Sequence, residues 1–498
     1  MLFTGLITVS AFLLIGMGAT RKTKGALYMT GGFLLFVIGV VLHVQSFSGF
    51  VSLTAAVSAE MGIGLLLVAG LLSRHKKNAR PFFLIGSTSL VVAVLIFGST
   101  RLFEGYSNPP VVAGESASIL VELGPDDSIE EIEQILSRYE ASWEEAFPTV
   151  SMEEDVDLAQ LYIVEVAEEN SRSLMQNLRS DVENVDNVEI NFIVELDVPS
   201  SGPLGDLEND GILENDPLAS KQWALDAIRG HEVHRLLHDM TPVKKAKVAI
   251  LDTGVDAGHE DVATSFTSSP ATVDVHGHGS HCAGIAGAST NNGIGIASLN
   301  WEGRFIDIAG YQALNDQGFG SIEMISQAII DATKDGSDVI SMSLGAKSAA
   351  PKVISDAIAY ARRNNVIVIA SAGNANEDAI DHMPSNIKGV IVVSAVDEKL
   401  RKATFSNTNM SLARPITAPG VNILSLKTGG GYVQMSGTSM STPVVSGLVG
   451  IMRALNPDIS EDDVYQILET TGRKVQDTKR IGKLIDAEAA VNAVLSGS

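Results

Sequence analysis

The feature that most constrains this chain is a set of short apolar runs that do not alternate. Residues 248–251 and 366–370 are continuously apolar, and further strand-like stretches recur near 305–312, 339–342 and 390–395. A strand with one wet face alternates apolar and polar residues; a strand covered on both faces does not need to. Helical spacing of apolar residues marks 322–333, 354–362, 444–454, 462–470 and 487–495. Strands alternating with helices predict a three-layer α/β domain built on a mainly parallel sheet.

The chemistry-bearing residues sit at the joints of that pattern. Asp252 ends the 248–251 run and is followed by Thr253-Gly254-Val255-Asp256. An acid at the carboxyl end of a buried parallel strand lies on the rim where α/β proteins build their sites. The segment His276-Gly277-His278-Gly279-Ser280-His281-Cys282-Ala283-Gly284 follows, its small residues allowing a helix start to pack closely. Much later, Ser436-Gly437-Thr438-Ser439-Met440-Ser441-Thr442-Pro443 opens another apolar helix. There a serine is exposed at the positive end of the helix dipole. Taken singly, Asp-Thr-Gly also occurs in aspartic proteases, a histidine cluster can bind metal, and Gly-Thr-Ser can be a helix cap.

In the order Asp, His, Ser, these three segments resemble those of the subtilisin-like serine proteases, over roughly residues 216–496. The resemblance implies an acyl-enzyme endopeptidase acting on polypeptides. Ser439 would be the nucleophile, His278 the general base and acid, and Asp252 the group that orients the imidazole. His278 is preferred because it matches the first histidine of the family's His-Gly-(Thr/Ser)-His motif; His281 reads as a packing residue and His276 as a loop residue. Asn374, after Ser371-Ala372-Gly373, matches the oxyanion-hole asparagine, with the Ser439 N–H as second donor. Ser341, Ser343, Leu344 and Gly345 resemble the segment that pairs with extended substrate, and Ala370, Ala372 and Gly373 line the far side of the first specificity pocket. His382 stands where relatives carry a different pair before proline, and is expected to narrow that pocket. Cys282 reads as a small buried residue.

The resemblance also implies a structural Ca²⁺. Asn292 with the carbonyls of Ile294 and Ile296, Gln222 and Asp261 match the family's oxygen ligands. A rival reading is a latent or non-catalytic membrane receptor or scaffold that kept the fold.

Upstream, residues 115–198 read β-α-β-β-α-β, with strands near 118–123, 146–150, 161–166 and 188–196 and helices near 129–136 and 171–182. That order predicts a ferredoxin-like α+β domain. Its place before the 217–498 peptidase domain resembles that of an inhibitory propeptide, an intramolecular partner covering the cleft. The 199–216 linker is acidic and offers a processing site. Asp206, Glu208, Asp210 and Gly211 form part of a calcium-loop pattern, but Pro217 stands where the last acid belongs, so a solvated linker is the simpler reading.

Residues 1–100 hold seven Lys or Arg and one acid, Glu60, leaving a formal charge of −30 on the remainder. Apolar runs near 2–19, 26–45, 51–73 and 82–99 predict four transmembrane helices. Arg21, Lys22 and Lys24, then Arg74, Lys76, Lys77 and Arg80, place their loops in the cytoplasm, making an integral, multi-pass protein in contact with membrane lipid and with its protease domain extracytoplasmic. Glu60 is either an intramembrane relay or a headgroup-level side chain. The acidic body argues against nucleic acid. A single cysteine excludes an intrachain disulfide.

Overall fold

A computed structural model of the protein describes residues 116–199 and 213–497. The four expected membrane helices of residues 1–100, and Glu60 with them, lie outside the described residues. The expectation of an integral multi-pass protein is corrected: among the described residues no helix is long and apolar enough to cross a membrane. The longest of them, Thr438–Leu455, is apolar because it is buried by protein on nearly every side.

Seven strands form the central sheet, in spatial order Lys483–Leu484, Pro415–Pro419, Ile391–Val396, Ile367–Ser371, Val339–Met342, Ala246–Asp252 and Ile306–Gln312. Every neighbouring pair is parallel. The period of two assigns side chains to opposite layers. Val248, Ile250, Ile306 and Ile308 face the helices His278–Gly287 and Thr438–Leu455. Ala249, Leu251, Ala309 and Tyr311 face the helices Ile322–Lys334 and Lys352–Arg363. Burial on both faces is the reason the strand sequences do not alternate.

The upstream residues fold as an antiparallel four-stranded sheet, ordered Ser142–Glu145, Leu161–Ala167, Ser116–Leu123 and Val185–Ile190. Helices Ile129–Arg138 and Glu168–Ser180 complete their own small core around Ile132, Leu136, Leu174 and Leu178. Two strand boundaries differ from the sequence reading. The second strand is Ser142–Glu145, all exposed, whereas Ala146, Phe147 and Val150 leave the sheet and bury among the helices of the larger domain. Their apolar character serves docking, not strand pairing. The last expected strand breaks after Ile190, and its remainder, Ile193–Glu195, pairs antiparallel with Phe319–Ser321 of the larger domain.

Polar contacts reinforce that docking. Helix Lys352–Arg363 begins behind Pro351, whose side chain offers no cap. Glu189 of the small sheet fills the place, accepting from the N–H groups of Lys352 and Val353 at 3.0 Å each. A carboxylate there satisfies two otherwise unpaired donors and lies at the positive end of the helix dipole.

Candidate active site

Asp252 is delivered by the carboxyl end of strand Ala246–Asp252, and His278 is the first residue of helix His278–Gly287. The two elements approach closely because Gly279 has no side chain: a Cβ there would lie 2.0 Å from the Gly254 carbonyl oxygen. The His278 Nδ1–H donates to both carboxylate oxygens of Asp252, at 2.8 and 2.9 Å. Both side chains are fully buried. Burial pushes the imidazole down, but the Asp252 carboxylate outweighs it and holds His278 well above its ordinary value. Burial, aided by the neighbouring His278, pushes His281 down to about 3, so it stays neutral; its Nε2–H donates to the Val433 carbonyl. Cys282 packs beneath, its thiol 3.5 Å from the Ser439 carbonyl and pushed upward by burial.

Ser439 is the second residue of helix Thr438–Leu455. Its hydroxyl donates to the Ser343 carbonyl at 3.1 Å, and His278 Nε2 has no hydrogen-bond partner among the described residues. Asn374 is clamped across the gap. Its Oδ1 accepts from both the N–H (2.9 Å) and the hydroxyl (3.0 Å) of Thr438, which fixes the amide with its NH₂ facing outward. That NH₂ donates to the Asp197 carbonyl at 2.7 Å. The chain reaches this point as an extended strand: Ile193–Glu195 pairs with Phe319–Ser321, and Leu196 N–H donates to the Gly318 carbonyl at 3.0 Å.

A cavity of about 150 Å³ adjoins Ser439, lined by Ser343, Leu344, Gly345, Gly373, Asn374 and His382 among others. Ser341, Ala370 and Ala372 do not reach it. Ser341 and Ala370 lie within the strands Val339–Met342 and Ile367–Ser371, and Ala372 packs in the apolar layer behind them. Ser371, within the 370–373 segment expected to line the pocket, does line the cavity, and so does Lys347, which the sequence does not point to. Lys347 pairs with Glu377 at 2.6 Å, and His382 Nε2 lies 3.6 Å from the same carboxylate. Burial pushes the His382 imidazole below its ordinary value.

The residues matched to calcium ligands converge, and their side chains engage one another. Gln222 accepts from Ala297 N–H at 2.7 Å and donates to the Ala297 carbonyl at 2.8 Å. Asp261 accepts from Ile296 N–H (2.8 Å) and the Asn292 amide (2.9 Å), while Asn292 accepts from Ile294 N–H (2.7 Å). Asp216 accepts from the N–H groups of Asn291 and Asn292 beside them. Burial pushes Asp216 up to about 6 with Asp261 adding to the effect, and burial raises Asp261 as well. Two buried acids among hard oxygen donors are chemistry that Ca²⁺ fits.

Comparison with known proteins gives the lineage of this arrangement. The family profile described as the subtilase family matches residues 243–484. The chain is 36% identical over 239 residues to the thermophilic serine proteinase of Bacillus sp. strain AK1, an alignment spanning 47% of this chain and 57% of that protein. It is 33% identical over 250 residues to subtilisin Savinase of Lederbergia lenta, spanning 49% of this chain and 90% of that protein. The alkaline protease of Alkalihalobacillus alcalophilus aligns over 413 residues at 28% identity, spanning 82% of this chain and 98% of that protein. An alignment of that length extends beyond the peptidase body into the residues that precede it.

Proposed function

This chain belongs to the subtilase family of serine proteases, and from that premise we propose that it is an endopeptidase whose cleft is occupied by its own upstream domain. The observation that carries the reading is the Asp197 carbonyl on the Asn374 amide, delivered by a strand paired to the peptidase as an extended substrate would pair. The bond after Asp197 is then the scissile bond.

Catalysis follows from the assigned residues. The Ser439 hydroxyl turns from the Ser343 carbonyl to His278 Nε2, gives up its proton there and attacks the Asp197 carbonyl carbon. Asp252 keeps the Nδ1–H tautomer and stabilises the imidazolium. The Asn374 amide and the Ser439 N–H hold the oxyanion. His278 returns its proton to the leaving Val198 nitrogen, and water then releases the acyl group. The tight Glu189, Glu122 and Phe147 contacts keep the 116–197 fragment seated, so cleavage and activation are separate events.

One Ca²⁺ is proposed at Gln222, Asp261 and Asn292 with the Ile294 and Ile296 carbonyls. It would supply positive charge to the paired acids and tie the domain's leading segment to the body.

The test is a paired incubation of the protein and its Ser439→Ala variant with calcium, followed by intact mass and by hydrolysis of an unfolded protein. The expected result is a new N-terminus at Val198 and substrate cleavage in the parent only. A folded parent that cuts neither itself nor the substrate overturns the proposal in favour of a non-catalytic scaffold.

A further inference from the structure

One buried polar cluster plays no part in that chemistry. Glu214, His231 and His234 meet in the interior, all three buried. The two histidines lie three apart on one face of helix Gly230–Leu237, and Glu214 arrives from the leading segment of the peptidase body.

The hydrogen positions make this meeting unusual. His234 Nε2 lies 2.6 Å from the Ser298 carbonyl, so that nitrogen carries the proton. The Nδ1 of a neutral His234 is then a lone pair, and it lies 2.6 Å from Glu214 Oε1. His231 Nδ1 contacts the same oxygen, while its Nε2 has no hydrogen-bond partner among the described residues and lies 3.5 Å from Asp226 Oδ1. Glu214 Oε2 is fully buried and has no hydrogen-bond partner among the described residues. The His234 Nδ1 lone pair and a Glu214 oxygen thus face each other at hydrogen-bond distance, a contact that a bound cation reconciles, while Glu214 Oε2 is left free to join as a ligand.

We propose that this cluster is a binding site for a divalent transition metal of the zinc type, held by His231 Nδ1, His234 Nδ1 and the Glu214 carboxylate. Two imidazoles and one carboxylate are a donor set of zinc sites, distinct from the all-oxygen set Ca²⁺ takes. The remote nitrogen of His234 is already arranged as an outer support: Ser298 O accepts from it, which turns the Nδ1 lone pair of that ring toward the metal position. Trp301 packs against His234, ring centroids 5.7 Å apart, and shields one side. The two other convergent groups among the described residues offer less. Glu122, Asp157 and Asp356 already surround the Lys352 ammonium, and Asp252, His278 and Cys282 form the candidate active site. The metal would staple the leading segment onto helix Gly230–Leu237 and keep it seated after cleavage upstream. The binding inference does not depend on the catalytic reading.

The test uses the full chain carrying Ser439→Ala, stripped with a strong chelator and returned to calcium, so that self-cleavage and the calcium loop are held constant. Zn²⁺ and then Co²⁺ are titrated, with bound metal counted by mass spectrometry and Co²⁺ followed by its visible absorption. The expected result is one equivalent bound, a low-coordinate Co²⁺ spectrum without thiolate charge transfer, and a rise in Tm. His231→Gln and Glu214→Gln should each weaken binding at least tenfold. Should Glu214→Gln fail to fold, the parent spectrum and His231→Gln still decide the matter. No retained metal in a folded parent overturns the proposal and leaves a proton-bridged cluster. So does a thiolate band, which would place the ion at Cys282, or binding that both variants leave intact.

Discussion

Two buried carboxylates in this molecule hold imidazoles, and they hold them differently. Asp252 receives one ring through Nδ1–H with both oxygens, and the far nitrogen of that ring, His278 Nε2, is left without a partner. Glu214 meets two rings with one oxygen, and the far nitrogen of His234 is tied to a backbone carbonyl. Burial is equal in the two places, so burial does not separate a reactive centre from a structural one. The surroundings of the second ring nitrogen do: that of His278 is unpartnered beside a serine-bearing helix and can take a proton, whereas that of His234 is locked to Ser298 and that of His231 faces Asp226 at 3.5 Å, away from any nucleophile. A pKa shift alone would not have told the two apart.

The comparison can be broken most severely at the reactive pair. Ser439→Ala should reduce hydrolysis of an unstructured protein by on the order of 10⁴-fold or more without lowering Tm, read from kcat/KM and calorimetry. An activity loss accompanied by unfolding would instead make Ser439 part of the packing. At the structural pair the effects should reverse: Glu214→Gln, with activity per folded molecule little changed, should destabilise the metal-free body by about 3–5 kcal/mol in a urea titration, because the buried Nδ1 atoms of two imidazoles lose their carboxylate partner. Asn374→Ala comes next. It should lower kcat by about 10²–10³-fold with KM nearly unchanged, since its amide already donates to the Asp197 carbonyl where the proposed oxyanion would form. Chelating calcium should then lower Tm, the stability lost growing with the calcium level of the reference sample to about 2.7 kcal/mol at a hundredfold excess over Kd. Asp261→Ala should abolish that dependence.

The smallest effect tests a third buried carboxylate, which has a lysine in place of imidazoles. Burial pushes Glu122 up to about 7 even though Lys352 bonds it at 2.7 Å, with Asp356 and Asp157 adding to the rise. Its ordinary value is 4.5, so the docked form takes up a proton between the two values. Its contribution to docking is therefore full below about 4.5 and lost as pH rises through about 7. Hydrogen exchange over helix Lys352–Arg363, in the Ser439→Ala chain and corrected for intrinsic rates, should show protection falling between pH 5 and 8. Glu122→Gln should flatten the profile; parallel profiles would remove Glu122 from the explanation.

Much of this architecture was legible in the chain. Non-alternating runs gave the parallel sheet because strands covered by helices on both faces have no polar side to display. The residues proposed as catalytic were legible for a related reason: each stands at a strand end or helix start flanked by glycine or another small residue that permits close approach, as at Gly279 behind Asp252. The pattern near 146–150 misled, because Phe147 and Val150 are apolar for the sake of another domain's surface, and a local pattern does not record which surface covers it. The apolar 1–100 segment likewise led to a membrane reading that no described helix supports.

Sequence by itself determined the layers and the β-α-β-β-α-β pattern, since each follows from the period of a few neighbouring residues, and it displayed the three proposed reactive segments in the order of the family they resemble. Only the tertiary structure decided that Ser341, Ala370 and Ala372 lie outside the cleft, that Ile193–Glu195 joins Phe319–Ser321, and that Asp197 meets Asn374. The convergence of Glu214 on His231 and His234 belongs to the same class. These are contacts between residues tens to hundreds of positions apart, and whether a ring nitrogen meets a carbonyl, a carboxylate or no partner depends on a few tenths of an ångström in the packing between them.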